Sequence, residues 1–264
     1  MKTPSLIRTV TFGRHGQSEQ NVIKPGQVPL GDTLLAQFRK RHTGDHRLST
    51  QGINDGKQLG NLLRSLGTDF TLFGTSSYIR TMETLLATGL VEPNTPVEVS
   101  PLIDERYTGV HETLTHDEAN ARYPGVEAER RQSETRWKPE DGESMREVLV
   151  RTLLFMNQLH TLPGGNRHPL IIAHSRVMAS YMWWAEQLED AEVPGLSTQE
   201  NGLTIANGQI LQYGWEAETL RPSHKRSLAP GQTINLTWQP LLRGTRFTAN
   251  DLKRMVEAQP PLLS

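Results

Sequence analysis

The sequence predicts an α/β fold, on three observations. The apolar runs Leu6–Phe12 and Leu170–Ala173 have the length of buried strands. Between them, apolar residues recur at helical spacing, as in Met145, Val148, Leu149, Thr152, Leu153, Met156 and Leu159. Both strands also end in a histidine, His15 and His174. Ligands in open α/β sheets bind beyond the carboxyl ends of strands, so two such endings argue for one shared site.

A chain of 264 residues suits one large α/β domain or two small ones. No internal repeat or linker marks a second unit, so one domain over 1–264 is expected. Charges nearly balance, 28 basic against 29 acidic, and no global field points to nucleic acid or membrane. No apolar stretch is long enough to span a bilayer. Arg8 interrupts the first apolar run, which is no signal-peptide pattern, so a cytoplasmic location is expected. Cysteine is absent, which excludes disulfides, thiol nucleophiles and cysteine-ligated metals.

The first strand delivers Arg14-His15-Gly16. Arginine offers a planar fork of donors suited to phosphate oxygens, glycine admits close approach of an anion, and histidine is a candidate nucleophile. Residues 20–48 are polar and rich in turn signals, with a short helix expected over Leu34–Arg41. So long a connection leaving the site reads as a wall or lid, or else as a surface excursion. His42 and His46 have a helical metal-binding spacing, but no third ligand accompanies them, so no metal site is expected. Ser49 caps a helix carrying Ile53, Leu59, Leu62, Leu63 and Leu66 and ended by Gly67.

A second strand is expected over Phe70–Phe73, and a helix over Tyr78–Leu90 with Ser76 or Ser77 as its cap. Arg80 falls in the first turn, where the helix dipole disfavours a cation. An anion held at that helix end accounts for the arginine; a tolerated surface charge is the plain alternative. Val97–Val99 is a short strand. Thr115–Tyr123 is a helix. Arg130, Arg131 and Arg136 are either solvated or grip a second acidic group. Ser144 starts a long helix that Pro163-Gly164-Gly165 stops. An apolar helix then runs over Met178–Leu188; its Trp183 and Trp184 read as core or as a homo-oligomer contact. Leu203–Ala206 and Gln209–Tyr213 flank Asn207-Gly208, a two-residue hairpin signal, with Asn201 placed to approach the site. Beyond Trp215, a strand over Thr233–Trp238 and a helix over Asn250–Ala258 are expected.

Arg14-His15-Gly16-x-Ser18-x-x-Asn21 resembles the opening motif of the histidine phosphatase superfamily, which includes the cofactor-dependent phosphoglycerate mutases. Leu48-Ser49-Thr50-Gln51-Gly52, Ser76-Ser77-x-x-Arg80-x-x-x-Thr84, Leu102-x-x-Glu105-Arg106-x-x-Gly109, Gly142-Glu143-Ser144 and His174 resemble its later motifs in the same order, over about Val10–Tyr213. The resemblance implies a three-layer α/β/α sandwich with a mostly parallel central sheet. A cap is implied from insertions at about 22–47 and 108–141, with a C-terminal extension at about 215–264.

By the same resemblance His15, Glu105 and His174 are catalytic, and Glu105 rather than Asp104 is the acid. Arg14, Asn21, Arg80, Arg106 and Ser175 contact substrate or its phosphate, with Arg106 either on the substrate or supporting the residues that are. Two departures stand out: Thr108 replaces a tyrosine of the mutases, and Ser175 replaces the glycine that usually follows the second histidine. The implied activity is hydrolysis of a small phosphomonoester through phosphohistidine, without metal or cofactor. Phosphoglycerate mutase-type transfer and phospholigand binding without chemistry are the alternatives.

Overall fold

The computed structural model describes residues 7–23, 31–132, 135–162, 167–189, 192, 205–215, 222–230 and 237–241. In chain order these form β1 (Thr9–Arg14), α1 (Glu19–Ile23), α2 (Asp32–Lys40), α3 (Thr50–Ser65), β2 (Leu72–Thr75) and α4 (Ile79–Ala87). Then come β3 (Val97–Val99), α5 (His116–Arg122), α6 (Val126–Gln132), α7 (Met145–Thr161), β4 (Pro169–Ala173) and α8 (Ser175–Glu186). The last are β5 (Ile210–Gly214), β6 (His224–Leu228) and β7 (Gln239–Pro240).

The strands form one mixed sheet in the order β3-β2-β4-β1-β5-β6-β7. Its first four are mutually parallel; β5, β6 and β7 pair antiparallel. Period-two alternation sorts β4 between two cores. Leu170 and Ile172 join Leu59, Leu63 and Leu85 of α3 and α4, while Ile171 and Ala173 join Phe155, Val177 and Met178 of α7 and α8. Helices therefore cover both faces, giving the α/β/α sandwich. Each fully buried side chain such as Phe12, Leu63 or Phe155 contributes about 1.5–3 kcal/mol by leaving water.

Local signals explain several boundaries. Ser49 accepts the Gly52 N–H at the start of α3. Thr115 and Ser144 each form a capping box, with Glu118 and Glu147. Among the described helices, none is long and apolar enough to cross a membrane.

Other expectations are corrected. Strand β2 lies two residues later than expected, and α8 begins at Ser175 rather than Met178. Ile53 is largely exposed and does not join the core of α3. Neither Ser76 nor Ser77 is the N-cap of α4; Tyr78 holds that place without a side-chain cap, because both serines are engaged elsewhere. Asn207-Gly208 does make a turn, but Ile205 and Ala206 are not in a strand. The edge of β5 that a hairpin arm would occupy is taken by β1 on one side and β6 on the other. Strand β6 lies in the tail, where no element was expected before Thr233. Thr237 and Trp238 are outside any strand, and residues 163–166, 201–204, 231–236 and 250–258 lie outside the described part.

Candidate active site

Strands β1 and β4 are adjacent and parallel, with Arg14 in register with Ala173. The residues that follow are therefore neighbours. The rings of His15 and His174 lie with centroids 5.1 Å apart, and both residues are buried. The His15 N–H donates to Ala173 O at 3.0 Å, which extends the ladder one step into the site.

The loop after β1 rests on the start of α3. Backbone meets backbone there: a Cβ on Gly16 would come within 2.2 Å of Gly52 O, and one on Gly52 within 1.9 Å of Gln17 O. Only glycine at both positions allows that approach. Gln17 N–H donates to Asp55 Oδ2 at 2.9 Å, and Gly16 N–H to Thr84 Oγ1 at 3.1 Å. The Leu-Ser-x-x-Gly helix start is thus a bed for the Arg-His-Gly loop.

His15 Nδ1 lies 2.6 Å from Gly16 O. A carbonyl only accepts, so Nδ1 carries the proton and Nε2 the lone pair when the ring is neutral. Burial, then Arg80 and Arg14, push the ring's proton affinity well below that of an ordinary histidine. Arg80, at the second position of α4, is buried; its Nη1 donates to Thr43 O at 2.8 Å and its guanidinium lies 4.6 Å from the Tyr78 ring centroid. Arg14 Nη1 donates to Ile205 O. Burial first, partly offset by the Glu105 carboxylate, brings the Arg14 pKa down to about 10, so it stays charged at neutral pH.

Among the described residues, three buried polar atoms of the side chains around His15 have no hydrogen-bond partner: Arg14 Nε, Arg80 Nε and His174 Nδ1. An unmet buried donor costs about 1–3 kcal/mol. Such a group of atoms suits an anion with several oxygens.

Glu105 is half-buried. Its Oε1 accepts the Arg106 N–H at 2.9 Å and the Arg176 N–H at 3.3 Å, and its Oε2 accepts the Ser175 hydroxyl at 3.2 Å. Asp104 faces the other way, accepting the Ser77 N–H and hydroxyl at 2.8 Å. Arg106 is buried under Trp137 and donates to Glu143 O at 2.7 Å and Trp137 O at 3.1 Å, fastening the far end of the second insertion beside Glu105. Asn21 Oδ1 accepts the Ser18 N–H at 3.1 Å and Ser18 hydroxyl at 3.0 Å. Glu105, Asn21, Arg106 and Ser175 lie on the wall of a cleft of about 610 Å³, shared with Arg130, Trp137 and Arg176. Arg130 is thus a wall residue; Asn201 lies outside the described part.

Sequence reasoning missed several contacts. Asn207 Nδ2 donates to His15 O at 2.8 Å, and Gly208 N–H to Arg14 O at 3.1 Å. The Asn-Gly pair read as a hairpin signal is instead a clip across the loop that carries His15. Thr43 was hidden in a polar connection. Arg176 sits at the second position of α8, as Arg80 does on α4, and the same dipole argument could have found it.

A family model of the histidine phosphatase superfamily (branch 1) matches residues 10–220. The chain is 27% identical over 213 residues to the bovine 6-phosphofructo-2-kinase/fructose-2,6-bisphosphatase 1, covering 81% of this chain and 40% of that protein. It therefore spans about two fifths of that relative's length. It is 28% identical over 187 residues to a 2,3-bisphosphoglycerate-dependent phosphoglycerate mutase of Bradyrhizobium sp. (strain ORS 278), covering 69% of this chain and 82% of the mutase. In fold it resembles a mycobacterial glucosyl-3-phosphoglycerate phosphatase in complex with VO3, at TM-score 0.61 and 23% identity, over 78% of this chain and 92% of that one. It also resembles YhfR of Bacillus stearothermophilus, at TM-score 0.64 and 19% identity, over 87% and 99% of the two chains. With the motifs in order and the matched residues running from β1 past β5, the chain belongs to the histidine phosphatase superfamily, branch 1.

Proposed function

We propose that the protein is a phosphatase that hydrolyses a small phosphomonoester through phosphohistidine at His15. The observation that carries this reading is the state of His15: proton on Nδ1 toward Gly16 O, a free Nε2, and a ring held neutral between two arginines. A nucleophilic nitrogen needs its lone pair, and these contacts leave it one.

A phosphomonoester brings about two negative charges at pH 7. Arg14 and Arg80 neutralise them through donors that include the unpartnered Nε atoms. His15 Nε2 attacks phosphorus in line, and the bond to the leaving oxygen breaks. His174 donates to a phosphoryl oxygen. Glu105 protonates the leaving alkoxide, then takes a proton from the water that opens the phosphohistidine. The leaving group occupies the cleft, where Arg130 and Arg176 favour one that carries further negative charge.

Hydrolysis rather than mutase transfer is favoured by the cleft wall. A mutase holds its phosphohistidine away from water. Here Thr108, with its hydroxyl on Glu112, stands where the mutases have a tyrosine, and Ser175 adds a hydroxyl beside Glu105. A panel of phosphorylated metabolites, read for free phosphate against isomerised product, tests the reading. His15→Ala should abolish turnover and acid-labile, alkali-stable protein phosphate together. Isomer without free phosphate selects the mutase; labelling that survives in His15→Ala moves the nucleophile elsewhere.

A further inference from the structure

Ser76 is fully buried and makes three contacts through one oxygen. Tyr78 N–H donates to it at 3.1 Å, Thr81 Oγ1 lies at 2.8 Å, and His174 Nε2 lies at 2.8 Å. A hydroxyl has one proton and two lone pairs. Since the amide takes a lone pair, one proton and one lone pair remain for Thr81 and His174. Two polarities satisfy this count. In one, Thr81 donates to Ser76 and Ser76 donates to Nε2, so the ring proton sits on Nδ1. In the other, Thr81 donates to Tyr78 O, Ser76 donates to Thr81, and Nε2–H donates to Ser76, which leaves Nδ1 bare.

We infer that Ser76, itself accepting from Thr81, donates to His174 Nε2 and so fixes the neutral ring in its Nδ1–H form. Ser76 is then a positioning residue that turns an uncharged histidine into a hydrogen-bond donor for a phosphoryl oxygen.

Two observations select this polarity. Among the described residues His174 Nδ1 is buried with no partner, and it belongs to the same cluster as the unpartnered Nε atoms of Arg14 and Arg80. A lone pair there would oppose an anion; an N–H completes the set. Against this polarity stands one contact, Thr81 Oγ1 to Tyr78 O at 2.8 Å, which it leaves without a proton, although that carbonyl still accepts the Thr81 N–H at 3.0 Å. Finally, the ring is neutral in the ligand-free protein, so an imidazolium does not supply the donor there. Burial, with Arg80, His15, Arg14 and Arg151 around it, drives the His174 pKa well below its ordinary value.

The inference rests on the phosphatase reading for its purpose, while its test does not. The chain holds nine histidines, so ring-¹⁵N-labelled protein gives a tractable spectrum, and His174→Asn assigns the resonance. In the ligand-free native protein at neutral pH, His174 should show the Nδ1–H pattern. Ser76→Ala should move it toward Nε2–H and lower kcat about 100-fold, the scale of one lost transition-state donor, with little change in KM. Ser76→Thr keeps the hydroxyl and should restore both. An Nε2–H pattern in the native protein overturns the inference without any variant having to fold. An unchanged pattern in Ser76→Ala removes Ser76 from the role. A native Nδ1–H pattern in a protein that turns over no phosphomonoester would leave the tautomer assignment standing and sink the phosphatase reading alone.

Discussion

Replacing Glu105 with glutamine isolates its chemistry, because the site can hold the new side chain. The amide oxygen can keep the N–H groups of Arg106 and Arg176, and the new NH₂ can donate to the Ser175 hydroxyl oxygen. Glu105 is also the carboxylate that most supports the charges of Arg14 and Arg80. Its loss leaves the phosphate pocket more positive, so binding of vanadate or phosphate should hold or tighten. Turnover should behave oppositely. A positioned acid contributes about 10²–10⁴-fold, so kcat for an alkyl phosphate should fall by roughly 10³. An aryl phosphate such as p-nitrophenyl phosphate departs without a proton, and its phenolate burst should fall less than about tenfold by the same reasoning. Rapid mixing reads that burst directly. An equal loss for both leaving groups refutes the acid role. Asp104→Asn, which disturbs the contacts to Ser77 and a lesser charge near Arg80, should be milder on both.

Two further outcomes follow from burial and from the insertions. Burial keeps His15 and His174 neutral in the fold, with pKa values well below the ordinary histidine value of 6.5, so below that pH the unfolded chain takes up protons the native state refuses. Stability should fall with acidification from about pH 6.5, by about 1.4 kcal/mol per pH unit for each ring, until the native pKa is reached. In urea titrations His174→Asn should reduce that slope by about 1.4 kcal/mol per pH unit, and an unchanged slope refutes the burial argument. The connection from Asn21 to Leu48, expected to be a lid, has a fixed end. Arg80 holds Thr43 O, and Glu83 accepts the Leu48 N–H at 2.7 Å. Its helix α2 is mostly exposed and meets the second insertion through the surface pair Arg39–Glu118, worth at most about 1 kcal/mol. Vanadate should therefore slow hydrogen exchange in residues 32–41 and leave 43–48 unchanged; no gain in 32–41 at saturation demotes the lid to a surface loop.

The sequence made the site's frame legible because strand endings and motifs are local. Arg14, His15, Arg80, Glu105 and His174 each announce themselves within a few neighbours, and two histidines at the ends of apolar runs imply one site. Ser76 read as a helix cap, a reasonable choice for a serine before a helix, until β4 brought His174 to its oxygen. Arg106 read as a substrate or supporting arginine; only the fold of residues 137–143 over it decides that its guanidinium is occupied with carbonyls. Asn207-Gly208 carried the right local signal, a tight turn, and the wrong partner, because β1 supplies a better edge than a hairpin arm. Strand β6 has little apolar content to announce it: His224-Lys225-Arg226-Ser227-Leu228 gains its place from pairing with β5.

The clip at Asn207-Gly208 has a consequence for how the protein comes into being. The loop bearing His15 leaves the ribosome well before the residues that hold its two carbonyls, with 192 positions separating Asn207 from His15. Until β5 emerges, the edge of β1 away from β4 is unpaired, and the arginine beside His15 lacks Ile205 O. Nascent chains stopped before residue 205 should therefore present an open, apolar strand edge to chaperones or to one another. Competence should appear only once the strand after the turn docks and the loop closes around its histidine.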